Sequence, residues 1–420
     1  MRAEAARRVL DTLLDGVDDL HSGLDGRYPL FRRPGEAWVT SRRGSWTGGL
    51  WSGLLWLRAL ERPGSAHAAA ARRASGGLAV WAEADTATRG LVFWYPLALA
   101  RFAVPGGVAP LEEAAGRAAR SLGGRFDPGT GVVPWGGAFE GAGDLVRVDG
   151  APGVAPLMRE APGVSEAVTA AGAAHLVRHL RLCWDGSSVA PVWRLDGDAA
   201  VRDGAPTRYW SRGRAWLLTA FADAVRLGLV ASDDPELGSA LDADAPLVPP
   251  ADAEEPKGPV DTGAAAIEAA ALLRLARAVE SSRTNSFAAA QPRSSASPRP
   301  LLGATGQTAQ DRPGAARTGR TSARGTDAAA SAQVPDSARH GGTVQTRGEG
   351  APAARAVAAR ARAHAIVRTL QRDHLGTHGL EQGSYETADG LVTGIESVWG
   401  NFFLALAAAM ALGTVPADLV

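Results

Sequence analysis

About twelve Ala- and Leu-rich segments of this chain repeat apolar residues three and four apart, and this spacing constrains the fold more than any other feature. They fall near residues 3–20, 47–61, 65–83, 91–104, 109–122, 151–161, 164–181, 208–226, 235–242, 261–280, 353–371 and 394–411. Gly, Pro and Asp turns separate them, such as Asp127-Pro128-Gly129-Thr130-Gly131 and Leu195-Asp196-Gly197-Asp198. Strand-like stretches are few and short, at Val132–Trp135 and Val189–Leu195. Long and short helical segments alternate, which predicts an all-α toroid of six helical hairpins, an (α/α)6 barrel. A repeat solenoid is the rival architecture, but no fixed-period repeat supports it.

One segment interrupts the pattern. From about Ser281 to Pro352 the chain is Ser, Thr, Ala, Arg, Gly, Gln and Pro, with almost no large apolar side chain. Such a composition cannot bury enough surface to offset its ordering entropy. It predicts a disordered low-complexity insertion, 281–352, within one barrel domain made of 1–280 and 353–420, because the helical pattern resumes beyond it. Its arginines read as solvated.

Basic and acidic residues balance at 44 each, so composition calls for neither nucleic acid nor an anionic membrane as partner. Lys257 is the only lysine, and the Ala and Gly content points to a coding bias that makes each arginine weaker evidence of selection. Cys183 is the only cysteine, which rules out a disulfide framework and a cysteine-based zinc site. Met1 to Leu20 is charged and amphipathic, unlike an apolar signal core, and no run reaches membrane-spanning length. The expectation is a soluble cytoplasmic protein.

The octet Tyr209-Trp210-Ser211-Arg212-Gly213-Arg214-Ala215-Trp216 stands out chemically. An indole face packs on the C–H face of a pyranose, and a guanidinium fork pairs with a carboxylate in two parallel hydrogen bonds, so the octet suits a sugar acid. Thr207 is a candidate N-cap, and Arg212 and Trp216 then lie one turn apart on one helix face. The alternative is a helix whose tryptophans are core and whose arginines are solvated.

Further segments join the octet in order along the chain. They are Trp46-Thr47-Gly48-Gly49-Leu50-Trp51-Ser52-Gly53-Leu54-Leu55-Trp56, the Phe126 to Trp135 turn, Asp149 ahead of a helix, and Asp185-Gly186-Ser187. After the octet come Asp261-Thr262-Gly263-Ala264-Ala265-Ala266-Ile267 and Glu396 to Phe403. In these seven parts the chain resembles the unsaturated glucuronyl hydrolases of glycoside hydrolase family 88 and the related unsaturated rhamnogalacturonyl hydrolases of family 105. The resemblance implies an (α/α)6 barrel without metal or organic cofactor, acting on an oligosaccharide whose terminal uronyl sugar carries a C4=C5 double bond. That group is an enol ether. Its hydration needs a proton on one ring carbon and an activated water on the next, after which a hemiketal collapses and releases the partner sugar. One carboxyl group can serve both steps, unlike the paired carboxylates of ordinary glycosidases. The resemblance puts Asp149 in that acid/base role, makes Arg212 and Trp216 substrate contacts, and makes Trp46, Trp135 and Trp210 pocket aromatics. From the residue alone, Asp149 is equally a helix N-cap or first-turn carboxylate.

The chain departs from the family pattern at three places. Gly90 falls where the family has a second aspartate, with Asp85 a few residues upstream; Ala190 is nearest to the position of a family histidine; Arg202-Asp203 stands for Gln-Gly. Hydration of an unsaturated uronide, hydrolysis of a different glycoside, and sugar binding without turnover therefore all remain as readings of the sequence. The pairs His175/His179 and His374/His378 have zinc-ligand spacing but no third ligand nearby, and read as surface or core histidines. Gly136–Gly143 lacks the features of a phosphate loop, and Ser45, Ser187 and Ser211 lack a nucleophile elbow.

Overall fold

The computed structural model describes residues 3–139, 142–197, 199–202, 211–242, 245–290, 351–387 and 390–420. The chain divides into a barrel unit, Met1–Ala288 with Glu349–Val420, and a second unit, Ala289–Gly348. Of the insertion expected at 281–352, the first ten residues complete a long helix and the last two begin another; 291–350 lie outside the described residues.

The described residues form twelve α-helices, whose burial patterns sort them into two concentric rings. The inner ring is α2 (Gly48–Glu61), α4 (Tyr95–Ala103), α6 (Val154–Glu160), α8 (Arg212–Arg226), α10 (Thr262–Ala290) and α12 (Val398–Leu412). A π-helical turn, Gly90–Trp94, extends α4 at its start. The outer ring is α1 (Ala3–Gly23), α3 (Ser65–Gly77), α5 (Ala109–Arg125), α7 (Glu166–Cys183), α9 (Pro235–Asp242) and α11 (Ala351–Asp373). The sequence explains the division. In α12, Val398 to Met410 are all buried, and α2 buries Gly48 to Arg58, so both are covered on every side. By contrast, α1 buries only Ala6, Val9, Leu10, Leu13, Leu14 and Val17, a stripe of three- and four-residue spacing facing inward. The twelve expected helices are thus present as the barrel, most with boundaries shifted by a few residues, while α10 runs on to Ala290 and α3 stops at Gly77.

Each inner helix is entered from the same end of the barrel, and glycines set how closely those entries pack. A Cβ on Gly49 would lie 2.3 Å from the carbonyl oxygens of both Leu91 and Val92, and one on Gly90 would lie 2.3 Å from Pro152 O. Similarly, a Cβ on Gly263 would lie 2.7 Å from the Trp399 indole nitrogen. The starts of α2, α4 and α6, and those of α10 and α12, are therefore in backbone-distance contact.

Short antiparallel strands gather at these entries. One sheet has the order β2-β1-β7-β6, from β1 (Tyr28–Arg32), β2 (Val39–Ser41), β6 (Gly383–Thr387) and β7 (Gly390–Ser397). The other is β3-β4-β5, from β3 (Leu145–Arg147), β4 (Val192–Asp196) and β5 (Ala199–Arg202). The expected strand at Val132–Trp135 is an irregular segment with one bridge, Asp127 to Val132, while the expectation at Val189–Leu195 is met in part by β4. Among the described residues no helix is long and apolar enough to cross a membrane.

Candidate active site at the barrel mouth

Asp149 occupies a single 3₁₀ turn, Val148–Gly150, between β3 and α6. Its side chain is 17% exposed, and Arg147 grips it with two hydrogen bonds, Nε to Oδ1 and Nη2 to Oδ2, both 3.1 Å. The same guanidinium lies 4.2 Å from the centroid of the Trp135 ring. Trp135 itself is 5% exposed, so the aromatic wall expected there has Arg147 packed against it.

The backbone around Asp149 is held from behind. The Val148 N–H donates to Pro191 O at 2.9 Å. Buried His175 accepts from the Val133 N–H at Nδ1 (2.9 Å), which leaves Nε2 to donate to Gly150 O (3.2 Å). One imidazole therefore ties the Trp135 segment to the Asp149 turn. The His179 ring lies 4.1 Å away on centroids, tilted at 52°, and donates from Nδ1 to His175 O. These histidines are core, as one of the two sequence readings had it.

Burial pulls both imidazoles down from 6.5, His175 well below that value and His179 to about 4. The unfolded chain thus takes up protons that the barrel refuses, so stability is complete above about pH 6.5 and falls as pH drops toward 4. The expected slope is up to about 1.4 kcal/mol per pH unit for each histidine. Urea melts at pH 7 and pH 5 test this: the wild-type midpoint should drop, and the drop should shrink in the His175→Gln/His179→Gln double variant. That variant separates the pair from His21 and His364, whose pKa values burial also lowers. An unchanged wild-type midpoint would contradict the linkage.

A second cluster forms where α8, α10 and α12 begin. Arg212 Nη1 donates to Asp261 Oδ2 and to Ser384 O, both at 2.7 Å. Asp261 has no exposed surface, and it also accepts from Ser211 Oγ (2.8 Å) and from the Ala264 N–H (3.2 Å) at the start of α10. The Arg212 guanidinium stands 5.9 Å from the Trp399 ring centroid, and half-buried Trp46 lies 5.5 Å from Trp399 on centroids. Tyr385 and Phe31 continue the aromatic row.

Arg212 and Trp46 are thus brought together through Trp399, while Asp149 and Trp135 are brought together through Arg147. Trp216, expected as a sugar wall, is a correction: it is 2% exposed and meets Phe403 edge-on at 5.6 Å, so it is core. Its place one turn beyond Arg212 on an inner helix points it into the barrel's packed centre rather than at the mouth. Trp210 and Thr207 lie outside the described residues, and α8 begins at Arg212 after Ser211.

At position 90 the packing leaves no room for a side chain, since a Cβ would also meet Val154 N at 2.6 Å. An acid cannot stand there on this backbone. Asp85 does not replace it: its carboxylate caps the Gly137 N–H (3.0 Å) and pairs with Arg125. Ala190 is fully buried. The Asp185 turn is closed by its own side chain, and hydrogen bonds from Ser188 and Ser187 hold that carboxyl far below the usual range.

Sequence reasoning missed Arg147, Asp261 and Trp399 as site residues. Arg147 had a local signal, a cation two residues before Asp149; the other two lay inside quoted motifs without a partner to give them a role. Among the described residues, no group of three His, Cys, Asp or Glu side chains is placed to hold a metal ion. A cavity of ≈190 Å³ lies elsewhere, lined by residues that include Trp38, Trp51, Arg32, Glu396 and Asn401.

No family model and no curated protein matches the sequence. The fold matches solved structures. The unsaturated glucuronyl hydrolase of Bacillus sp. GL1, described as responsible for the degradation of glycosaminoglycan, superimposes with a TM-score of 0.69 at 17% identity, over 97% of this chain and 96% of that one. The unsaturated glucuronyl hydrolase of Streptococcus agalactiae gives 0.68 at 13% identity, over 98% and 93%. An Asp-to-Asn variant of the latter, complexed with dGlcA-GalNAc6S, gives 0.59 at 13% identity, over 96% and 90%. At these identities the likeness establishes the (α/α)6 barrel.

Proposed function

We propose that this barrel is a glycoside hydrolase acting on an unsaturated uronyl sugar, with Asp149 as its general acid and base. The observation that carries the reading is the placement of Asp149: a partly exposed carboxylate on the entry turn of an inner helix, in a barrel that glucuronyl hydrolases match along nearly its whole length. Asp149 would give its proton to C4 of the enol ether, water would add its oxygen to C5, and the water's second proton would return to the carboxylate. The acid is regenerated, and the resulting hemiketal opens to release the partner sugar.

Trp46, with Trp399 behind it, is the aromatic wall this reading favours. Arg212 presents the sugar a guanidinium already neutralised by Asp261, suited to hydroxyl oxygens. Trp135 flanks Asp149 through Arg147, and Trp210 remains a proposed contact.

The test uses lyase-generated unsaturated disaccharides as substrate. Wild-type protein should bleach the far-ultraviolet absorbance of the C=C–carboxylate chromophore. If that absorbance persists while the sugar quenches tryptophan fluorescence, binding without turnover is the correct reading. The close packing at Gly90, which excludes a second carboxylate, is what keeps that alternative in view.

A further inference from the structure

The ≈190 Å³ cavity lies behind the aromatic row of the mouth. Successive residues of a strand face opposite ways. Phe31 of β1 continues the row that runs through Tyr385 to Trp399, while Arg32 turns to the other face and meets Glu396, its register partner on β7. The walls around the space are in close backbone contact. A Cβ on Gly16 would lie 1.8 Å from His378 O, and one on Gly379 would lie 1.9 Å from Glu396 Oε1. The cavity is therefore preformed.

Its polar side offers donors and acceptors together. Arg32 gives Nε and Nη2 to one Glu396 oxygen, both at 2.6 Å, which leaves Nη1 to donate. The other oxygen, Oε1, takes one bond from Asn401 Nδ2 at 2.8 Å and keeps a lone pair with which to accept. Asn401 is fixed in turn by the Leu380 N–H on its Oδ1 at 2.7 Å. Trp51 is 2% exposed, and its indole N–H makes no hydrogen bond among the described residues. Val17, Leu54 and Val398 add apolar surface beside these groups, as does half-buried Trp38, whose ring centroid lies 5.6 Å from the Arg32 guanidinium.

Hydroxyl groups suit this wall, because each both donates and accepts. Charge gives an ionic ligand no advantage. Arg32 and Glu396 cancel, and the remaining acid, Asp19, is 67% exposed and paired with His378 at 3.1 Å. Tryptophan suits the C–H face of a sugar ring. The size suits one ring, since cavities of roughly 150 Å³ take up a single six-membered ring.

We propose that this cavity is a carbohydrate site of its own, apart from the Asp149 and Arg212 clusters, and that it takes one neutral pyranose ring. Arg32 Nη1 and the Trp51 N–H donate to ring hydroxyls, and Glu396 Oε1 accepts from one. The site does not depend on the hydrolase reading, because a barrel without turnover would bind the ring equally well.

Methyl β-D-glucopyranoside and methyl β-D-galactopyranoside are the probes, titrated by calorimetry and tryptophan fluorescence. At least one should bind with roughly millimolar affinity, as expected for so small a ligand. Neither glucosamine nor glucuronic acid at equal concentration should displace it. Arg32→Met and Glu396→Gln should each weaken binding roughly 10-fold or more, since each removes a charged partner of a hydroxyl. Trp38→Ala should weaken it as well, and this residue lies outside the buried core, so it serves if an ion-pair variant fails to fold. Trp46→Ala and Asp149→Asn should bind the probe as wild type does. No binding of either probe, displacement by a charged sugar, or wild-type affinity in any folded cavity variant overturns the proposal. Loss of binding in Trp46→Ala also overturns it, because the ring would then sit at the mouth.

Discussion

Replacing Asp149 with Asn should slow turnover of an unsaturated uronide by roughly 10²–10⁴-fold while leaving the barrel folded. The substitution changes almost no volume. The amide oxygen still accepts from Arg147, and the turn is held by bonds that do not involve the side chain, Val148 N to Pro191 O (2.9 Å) and Ala151 N to Val148 O (3.3 Å). What disappears is a group able to give a proton to carbon and take one from water. Initial rates from the loss of far-ultraviolet absorbance, beside thermal melts of both proteins, measure the two effects separately. Near-wild-type turnover by Asp149→Asn would falsify the acid/base role. A large drop in melting temperature would instead show that the carboxylate is chiefly an anchor for Arg147.

The second large effect is expected far from any exposed surface. Asp223 on α8 has no exposure and Arg274 on α10 has 3%, and they form a close ion pair. Burial alone would lower the Arg274 pKa, but Asp223 reverses this and holds it raised. The other Asp223 oxygen accepts from the Gly153 N–H at 2.8 Å, just where the chain turns through a positive φ of 73° into α6. Asp223→Asn should therefore lower stability by about 3–5 kcal/mol, because it leaves an uncompensated guanidinium in the core. Urea denaturation measures this as a reduced midpoint. The double variant Asp223→Leu/Arg274→Met should regain much of the loss, since two apolar side chains need no partner. A double variant no more stable than the single one would point to lost packing at Gly153 instead.

These two sites differ in how far the sequence disclosed them. Asp149 was visible as a carboxylate ahead of a helix, and it was the ordered run of motifs around it, rather than the residue alone, that set it apart from a helix cap. Its partner Arg147 was local, yet the charge pair was passed over, because Arg-x-Asp at a strand end has no meaning until the strand's twist directs both side chains one way. Arg212 and Trp216 were placed one turn apart on a helix expected from Thr207 onward, and both lie on α8, which begins at Arg212 after Ser211. What that face meets was not readable. Arg212 turned out to meet Asp261, 49 residues later, and Trp216 met Phe403. Gly90 shows the same limit from the other side. It stood out in the sequence as a missing acid, but the reason no acid fits is the backbone of Pro152 and Val154, brought against it by the ring of helices.

The sequence by itself determined the number and order of the helices, because apolar spacing along a helix repeats every few residues and needs no knowledge of the neighbour. It also marked Asp149 as a carboxylate at a helix entry. Only the tertiary structure decided which groups share a hydrogen bond, which tryptophan faces the mouth and which is sealed in the core, and that each arginine of the two mouth clusters is held by an aspartate. Those outcomes depend on distances between segments tens to hundreds of residues apart, and for a charged or aromatic side chain the partner at the far end sets both its exposure and its chemistry.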